Sequence, residues 1–367
     1  MKKIIYIIFI ILLTYNVNAK VLMRPYLQGL TSNEIVIMVE TDSQEKVKIN
    51  YKSKINASIN KTIESSYFKE TETTPKTYVH RVALNKLDAN SEYTYSLETK
   101  DANYTGGFKT LVKKGESSNF TFASYGDSRS APKIFAKITE GMMSKNPDFS
   151  VYLGDLAYDG SYKLWKEEFF IPQQLEMAAN VPFYNAVGNH EKWITNTQAF
   201  TDSPTCNSND KGYYSFDCGD FHFLVLSTEQ NVTKNAPQWQ FAKKDLENSK
   251  AKWKIVAFHI PAYSAGAHNE NKNMIAYTSE IFEKNNVDIV LTGHSHFYQH
   301  NLINGINHFV LGGGGSPLYN PTEAKYVIKS AKVYHYAIFK YFEQSLTMTV
   351  YDLENKIVDF VKFDNKK

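Results

Sequence analysis

The strongest constraint in this chain is a pattern that occurs five times: a short apolar run that stops abruptly on residues able to bind a metal. The stops read GDSR (126–129), GDLAY (154–158), GNHE (188–191), VAFH (256–259) and GHSH (293–296). The three to five apolar residues before each stop have the signature of a strand buried on both faces. Such strands belong to layered α/β domains, in which ligands gather beyond the strands' carboxyl ends because loops there can vary without disturbing the core. Four of the five stops open with glycine, which predicts a sharp backbone turn at each.

The segments between these strands alternate with them as an α/β domain requires. PKIFAKITEGMMSK, YKLWKEEFFIPQQLEMAA, APQWQFAKKDLENS and SEIFEKNN read as helices, and the last stretch, YAIFKYFEQSLTMTVYDLENKIVDFVKF, returns to strands with a turn near Glu354-Asn355. Before about Leu111 the rhythm differs. EIVIMVET, KVKINYK, TYVHRVALNKL, SEYTYSLETK and YTGGFKT are rich in Val, Ile, Tyr and Thr, several with period-two alternation, and no helix interrupts them. That pattern predicts a small antiparallel sandwich of the immunoglobulin or fibronectin III type. The polar stretch VKKGESS (112–118) is the expected hinge. The chain thus divides into residues 1–19, 20–115 and 116–367.

Residues 1–19, MKKIIYIIFIILLTYNVNA, combine two lysines, an apolar run from Ile4 to Leu13 and a small-residue site at Val17-Asn18-Ala19. This is the pattern of a secretory signal peptide cleaved after Ala19. The run is shorter than the roughly 20 residues that span hydrocarbon, so no stable membrane anchor is expected after cleavage. Export to a periplasm, the cell exterior or an acidic exocytic compartment follows. The net charge is +3, of which Lys2 and Lys3 supply two, so nothing electrostatic points to nucleic acid as a partner. The only two cysteines, Cys206 and Cys218, flank one loop, and a disulfide between them is expected in an oxidising compartment.

Each stop has a plain structural reading when taken alone. Asp127 could cap a helix, His259 could be a hydrogen-bonded core histidine, and GNHE could be an ordinary loop. Together, the ordered series Asp, Asp, Asn-His, His and His-x-His at successive strand ends resists a packing explanation, because buried polar groups are costly unless paired or coordinated. The series resembles the calcineurin-like metallophosphoesterase superfamily and, within it, the purple acid phosphatases. Tyr158, three residues after Asp155, matches the tyrosine that purple acid phosphatases add to the general pattern. The likeness covers about Phe120 to Pro317, and the opening MRPYLQGLTSNEIVIMV looks like the fibronectin-like domain that precedes many secreted members.

The resemblance implies a layered β-sheet fold flanked by helices and a binuclear centre. Two cations about 3.5–4 Å apart need a bridging ligand, and Asp155 is that ligand by resemblance. Asp127, Tyr158 and His296 would complete one site, whose anionic oxygen donors favour Fe(III). Asn189, His259 and His294 would complete the other, suited to a divalent ion such as Zn, Fe or Mn. The implied reaction is hydrolysis of phosphate monoesters by a metal-activated hydroxide, with small phosphate esters, nucleotides and phosphoproteins as candidate substrates. His190 matches a family residue that contacts phosphate or leaving group, and His268 matches one that protonates the leaving group. A metal-dependent phosphodiesterase or nucleotidase would use the same ligands. A surface binding protein with an inert metal site is the reading from a different class.

Some positions depart from the familiar pattern. Arg129 stands where plant and mammalian enzymes usually have glycine; its fork could hold a substrate phosphate or pair with a nearby acid. The Glu-Arg pair typical of plant members is absent from FYQH (297–300). Glu191 is expected to orient a loop or a histidine. His222, His300, His308 and His335 have no motif context and read as structural. LGGGGSP (311–317) resembles the glycine-rich strand end of these enzymes and lacks the lysine of a nucleotide-binding loop.

Overall fold

Strands dominate the computed structural model, which describes residues 19–100, 102–203 and 211–364. They form four sheets. Residues 1–18 of the expected leader, and Cys206, lie outside the described residues. Among the described residues, no helix is long and apolar enough to cross a membrane.

The N-terminal region is all-β, as its alternation requires. One four-stranded sheet runs in the order Val21–Gln28, Glu34–Thr41, Tyr78–Asn85, Tyr67–Glu70, and a second in the order Asn60–Glu64, Lys48–Ser53, Glu92–Glu98, Asn103–Lys109. Every pairing is antiparallel. In Glu92–Glu98 the inward set Tyr93, Tyr95 and Leu97 is buried while the residues between them are not, the period-two pattern of a half-buried strand. Val21–Gln28, Asn60–Glu64 and Tyr67–Glu70 are strands beyond those that the alternation marks. Asn60–Glu64 and Tyr67–Glu70 are short, polar and largely solvent-facing, so they carry no apolar period to detect.

Two larger sheets stack beyond residue 119. The six-stranded one has the order Phe183–Asn185, Phe149–Tyr152, Phe120–Tyr125, His335–Phe342, Ser345–Asp352, Ile357–Phe363, and its first three strands are parallel. The seven-stranded one has Phe221–Val225, Trp253–Ala257, Ile289–Thr292 and Ile306–Leu311 parallel at its centre. Their facing sides meet in a dry aromatic layer. Phe122 lies 4.5 Å from Phe339 and 5.3 Å from Phe149 in near-parallel stacks, and Phe223 meets Phe149 edge-on at 5.7 Å. Offset and edge-to-face contacts of this kind add to the area each ring buries. The opposite sides are covered by helices: Pro132–Met143 and Pro172–Ala178 over Ala123, Tyr125 and Tyr152, and Pro237–Asn248 and Lys272–Tyr277 over Leu224, Val256 and Val290. Burial on both faces explains why these strands read as unbroken apolar runs.

Two expected helices are broken. The first becomes a short α-turn at Tyr162–Leu164, a π-helical turn at Trp165–Phe169 and a separate helix from Pro172. Proline excludes the helical conformation from the residue before it, so Ile171 is extended (φ −66°, ψ 159°). The second, expected over SEIFEKNN (279–286), is instead π-helical over Thr278–Phe282 and a 3₁₀ turn at Glu283–Asn285, and the α-helix precedes it at Lys272–Tyr277.

Arg81 ties the N-terminal region to the larger sheets. It is fully buried, its Nε donates to Asp202 Oδ2 at 2.9 Å, and its Nη2 reaches the carbonyls of Gln198, Ala199 and Thr201. Cys218 is a buried free thiol, and burial pushes its pKa up to about 12.

His222 is a clasp remote from the strand ends that carry the motif. Its Nδ1 faces Asp217 Oδ1 at 2.8 Å and its Nε2 faces Asp245 Oδ2 at 2.7 Å, so both nitrogens must carry protons. Burial opposes that charge, but the two carboxylates outweigh it and push the pKa up to about 9. A raised histidine stabilises the fold fully below its unfolded pKa and loses that contribution as pH rises through the folded one. We expect thermal melts of the wild type to lose a contribution on the order of 2–3 kcal/mol between pH 6.5 and about 9. His222→Gln should lack that pH dependence; identical profiles for the two proteins would remove the clasp.

Candidate metal centre

Parallel pairing sets the first two ligands side by side. Tyr125 lies opposite Tyr152 in register, so the chain leaves both strands at the same level. Asp127 N then donates to Gly154 O at 2.9 Å and Arg129 N to Asp155 O at 3.2 Å, lacing the two loops together. Strand Phe183–Asn185 flanks Phe149–Tyr152 on its other side and delivers the GNHE loop. The remaining histidines come from the other sheet: Trp253–Ala257 leads to His259, and Ile289–Thr292 leads to His294 and His296. The candidate centre therefore sits where the carboxyl ends of two stacked sheets meet.

The turns are made differently from the sequence expectation. Asp127 (φ +62°), Asp155 (φ +56°) and His294 (φ +66°) adopt the left-handed conformation themselves; of the four glycines only Gly154 does (φ +85°). Left-handed backbone at ordinary residues costs on the order of 1 kcal/mol each, and it clusters here at expected ligands. The other glycines serve close approach. A Cβ on Gly188 would lie 2.1 Å from Asp155 N, and one on Gly293 would lie 2.5 Å from Asp127 Oδ2.

Asp155 is buried. Its Oδ1 accepts from His190 N at 3.0 Å and faces His259 Nε2 at 3.2 Å, while its Oδ2 accepts from Arg129 Nε at 3.1 Å, with His190 Nε2 at 3.8 Å. Asp127, also buried, accepts from His294 N through Oδ2 at 2.7 Å. Its Oδ1 faces His296 Nε2 at 3.4 Å and has no hydrogen-bond partner. Asn189 Oδ1 stands between His259 Nε2 at 3.0 Å and His294 Nδ1 at 2.9 Å. Donor atoms of Asp127, Asp155 and His296 all lie within 4.8 Å of one another.

The histidines are held for ligation. His259 Nδ1 donates to Leu153 O at 2.7 Å and His296 Nδ1 to Pro317 O at 2.8 Å, which turns both Nε2 atoms toward the carboxylates. Without a cation, charge balance falls on protons. Burial works against an imidazolium at His259, but Asp155, with Asp127 and Glu191, outweighs it and pushes the pKa up to about 10. Burial, then His259 and His268, push His294 down to about 3. Burial also opposes ionisation of Asp155, yet His259, His190 and Arg129 hold it well below the usual carboxylate range. A buried carboxylate oxygen without a donor, imidazole nitrogens aimed at it and an amide oxygen between two more imidazoles form a donor set that fits cations.

The structure brings Asp127, Asp155, Asn189, His259, His294 and His296 together. His190 lies beside them, half-buried, with Nδ1 on Tyr158 O at 2.6 Å. His268 is also half-buried, its ring 4.2 Å from that of His294 and 5.3 Å from that of Tyr319. Tyr158 stands at the rim, 50% exposed, its ring 5.0 Å from His190's and 5.5 Å from the Arg129 guanidinium carbon. Its hydroxyl makes no hydrogen bond to Asp127 or His296, the groups expected to share its metal. A cavity of about 1270 Å³, lined by residues of Glu92–Glu98 together with Asp148, Glu176 and Asn180, shares no residue with this cluster.

Three supporting residues bear on the site. Glu191 is fully buried and accepts from the backbone N–H groups of Asp155 (3.1 Å), Gly188 (2.8 Å) and Leu156 (3.3 Å), so it orients loops, and burial with Asp155's charge pushes its pKa up to about 8. Glu168 accepts from Tyr158 N at 2.7 Å, and Tyr319 stacks on His296 at 4.3 Å. Neither was legible. Glu168 follows exposed Glu167 in sequence, and only the π-helical turn directs it inward.

Residues 124–298 match the calcineurin-like phosphoesterase family. The chain is 28% identical over 214 residues (47% of this chain, 33% of the relative) to "Probable inactive purple acid phosphatase 9" of Arabidopsis thaliana. It is 30% identical over 193 residues (46% of this chain, 44% of the relative) to purple acid phosphatase 18 of the same plant. The structure of purple acid phosphatase PPD1 from yellow lupin (Lupinus luteus) seeds superposes with a TM-score of 0.79 at 20% identity, covering 92% of this chain and 73% of that one. The chain thus carries a calcineurin-like phosphoesterase domain and is a homologue of the purple acid phosphatases. It spans 33% and 44% of the length of these two curated relatives.

Gly188→Ala tests the close approach. The added methyl would collide with Asp155's backbone, which cannot rotate away. We expect circular dichroism to show a folded chain whose bound metal, measured by elemental analysis, falls below about half the wild-type content. Full metal content in the variant would show that the approach is dispensable.

Proposed function

We propose that this protein is a secreted acid phosphatase of the purple acid phosphatase type, hydrolysing small phosphate monoesters at a binuclear metal centre. The observation that carries this reading is the buried, unpartnered Asp127 Oδ1 facing His296 within a cluster of five further metal-type side chains. Asp155 would bridge two cations, Asp127, Tyr158 and His296 would complete the Fe(III) site, and Asn189, His259 and His294 would hold Zn, Fe or Mn. Bound there, the cations would supply Lewis acidity toward phosphoryl oxygens and depress the pKa of water.

The chain's own residues do the rest. Arg129, the His190 backbone N–H and the Glu191-braced loop keep Asp155 in place. His190, whose Nε2 lies 3.8 Å from Asp155 Oδ2, is suited to touch the phosphate or leaving group, and His268, whose ring lies 4.2 Å from that of His294, to donate a proton to it. In this reading residues 1–19 are removed on export, 20–115 form a fibronectin III-like domain, and 116–367 form the catalytic unit.

The decisive experiment combines metal analysis with a visible spectrum of the purified mature protein. One iron and one divalent ion with a phenolate charge-transfer band, lost in Tyr158→Phe, is the expected result; two divalent ions without colour would remove Fe(III) and Tyr158 ligation. Asp155→Ala should lose both metals and at least about a thousandfold in kcat/KM on an aryl phosphate, and full turnover would sink the bridging role. His268→Ala should slow an alkyl phosphate about a hundredfold but an activated aryl phosphate only a fewfold. Equal losses on the two would remove its acid role.

A further inference from the structure

We infer that Arg129 is the specificity-determining residue of this site, selecting phosphate monoesters over diesters by clamping a terminal phosphoryl oxygen that only a monoester possesses. The inference rests on the proposed phosphatase reading and deepens it. Arg129 is 8% exposed, yet its donors are largely unspent. Nε donates to Asp155 Oδ2 at 3.1 Å, Nη1 has only a long 3.4 Å contact to Ser130 Oγ, and Nη2 has no partner among the described residues. Neither Nη atom is among the buried unpartnered atoms, so Nη2 reaches solvent.

A simple counter-charge for Asp155 would not need this arrangement. Asp155 already faces His259 at 3.2 Å and accepts from His190 N at 3.0 Å. A guanidinium anchored through Nε alone instead keeps its terminal N–H groups available in a fixed orientation. That orientation is built from several sides. The backbone N–H of Arg129 donates to Asp155 O at 3.2 Å, its carbonyl accepts from Ser316 Oγ at 3.3 Å, and its guanidinium lies 5.5 Å from the Tyr158 ring centroid. His190 Nε2 lies 3.8 Å from the same Asp155 oxygen, so an imidazole stands beside the guanidinium at one edge of the cluster.

The chemistry of the substrate then decides. A monoester carries up to two negative charges over three terminal oxygens, and a diester carries one over two. A clamp on the third oxygen gains a charge-assisted hydrogen bond from a monoester. With a diester the same position holds an esterified oxygen and its carbon, which leaves a largely buried guanidinium facing an apolar group.

The test compares 4-nitrophenyl phosphate with bis(4-nitrophenyl) phosphate and, separately, measures binding of inorganic phosphate to metal-loaded protein by calorimetry. For Arg129→Ala, with metal content measured alongside, we expect monoester kcat/KM to fall at least about tenfold further than diester kcat/KM, and phosphate Kd to weaken about 10- to 100-fold. Added guanidinium should restore part of the monoester rate, and Arg129→Lys should recover phosphate affinity only partly. Equal losses on both esters, unchanged phosphate binding, or loss of metal in the variant would overturn the assignment, the last by showing that Arg129 acts only through Asp155. A wild type that hydrolyses neither ester would overturn the phosphatase reading, and phosphate binding would still decide Arg129. A wild type that binds no phosphate would overturn the clamp itself.

Discussion

Two aspartates buried in contact with one another's surroundings are the constraint on which this structure turns. Asp127 and Asp155 are at most 1% exposed, and a third buried carboxylate, Glu191, holds the backbone at Asp155, Leu156 and Gly188. Charges removed from water destabilise a fold by several kcal/mol each unless opposite charge and hydrogen bonds compensate them. Every element near the site supplies such compensation: backbone amides from three loops, imidazoles from the facing sheet and one guanidinium. Even so, Asp127 Oδ1 has no donor. The arrangement is a donor cage of the kind that suits a cation.

Holding that cage demands precision from an otherwise apolar scaffold. The edge-on contacts of Phe122 and Phe149 on one sheet with Phe223 on the other fix the separation from which His259, His294 and His296 approach the aspartates. Left-handed backbone at Asp127, Asp155 and His294 aims their side chains inward, at a cost that close packing of Gly188 and Gly293 against the carboxylates helps to hold in place. Strain, buried charge and glycine contacts fall at the same few residues, which is where function and stability compete.

Much of this was legible in the chain. The parallel strands announce themselves as apolar runs because both faces are covered, and each run ends on the residue that the fold carries into the cluster. The N-terminal strands show period two because one face meets solvent. What escaped detection had no such signal. Asn60–Glu64 and Tyr67–Glu70 are polar edge strands, Glu168 is turned inward by a π-helical turn that no composition marks, and Tyr319 meets His296 only because its loop folds back. The glycines that open the loops differ from the expectation of sharp turns: three of the four permit close approach, and left-handed backbone falls on Asp127, Asp155 and His294 as well as on Gly154.

By itself, then, the sequence determined which side chains end the buried strands and in what order, since apolar periodicity and residue chemistry are local properties. Only the tertiary structure decided that the aspartates and Asn189 come from one sheet and His259, His294 and His296 from another, that Tyr158 stands at the rim against His190 and Arg129, and that the Arg129 guanidinium meets Asp155 through Nε. Those are contacts between residues distant in the chain. They depend on how two sheets stack and how loops pack across them, and no local pattern encodes that geometry.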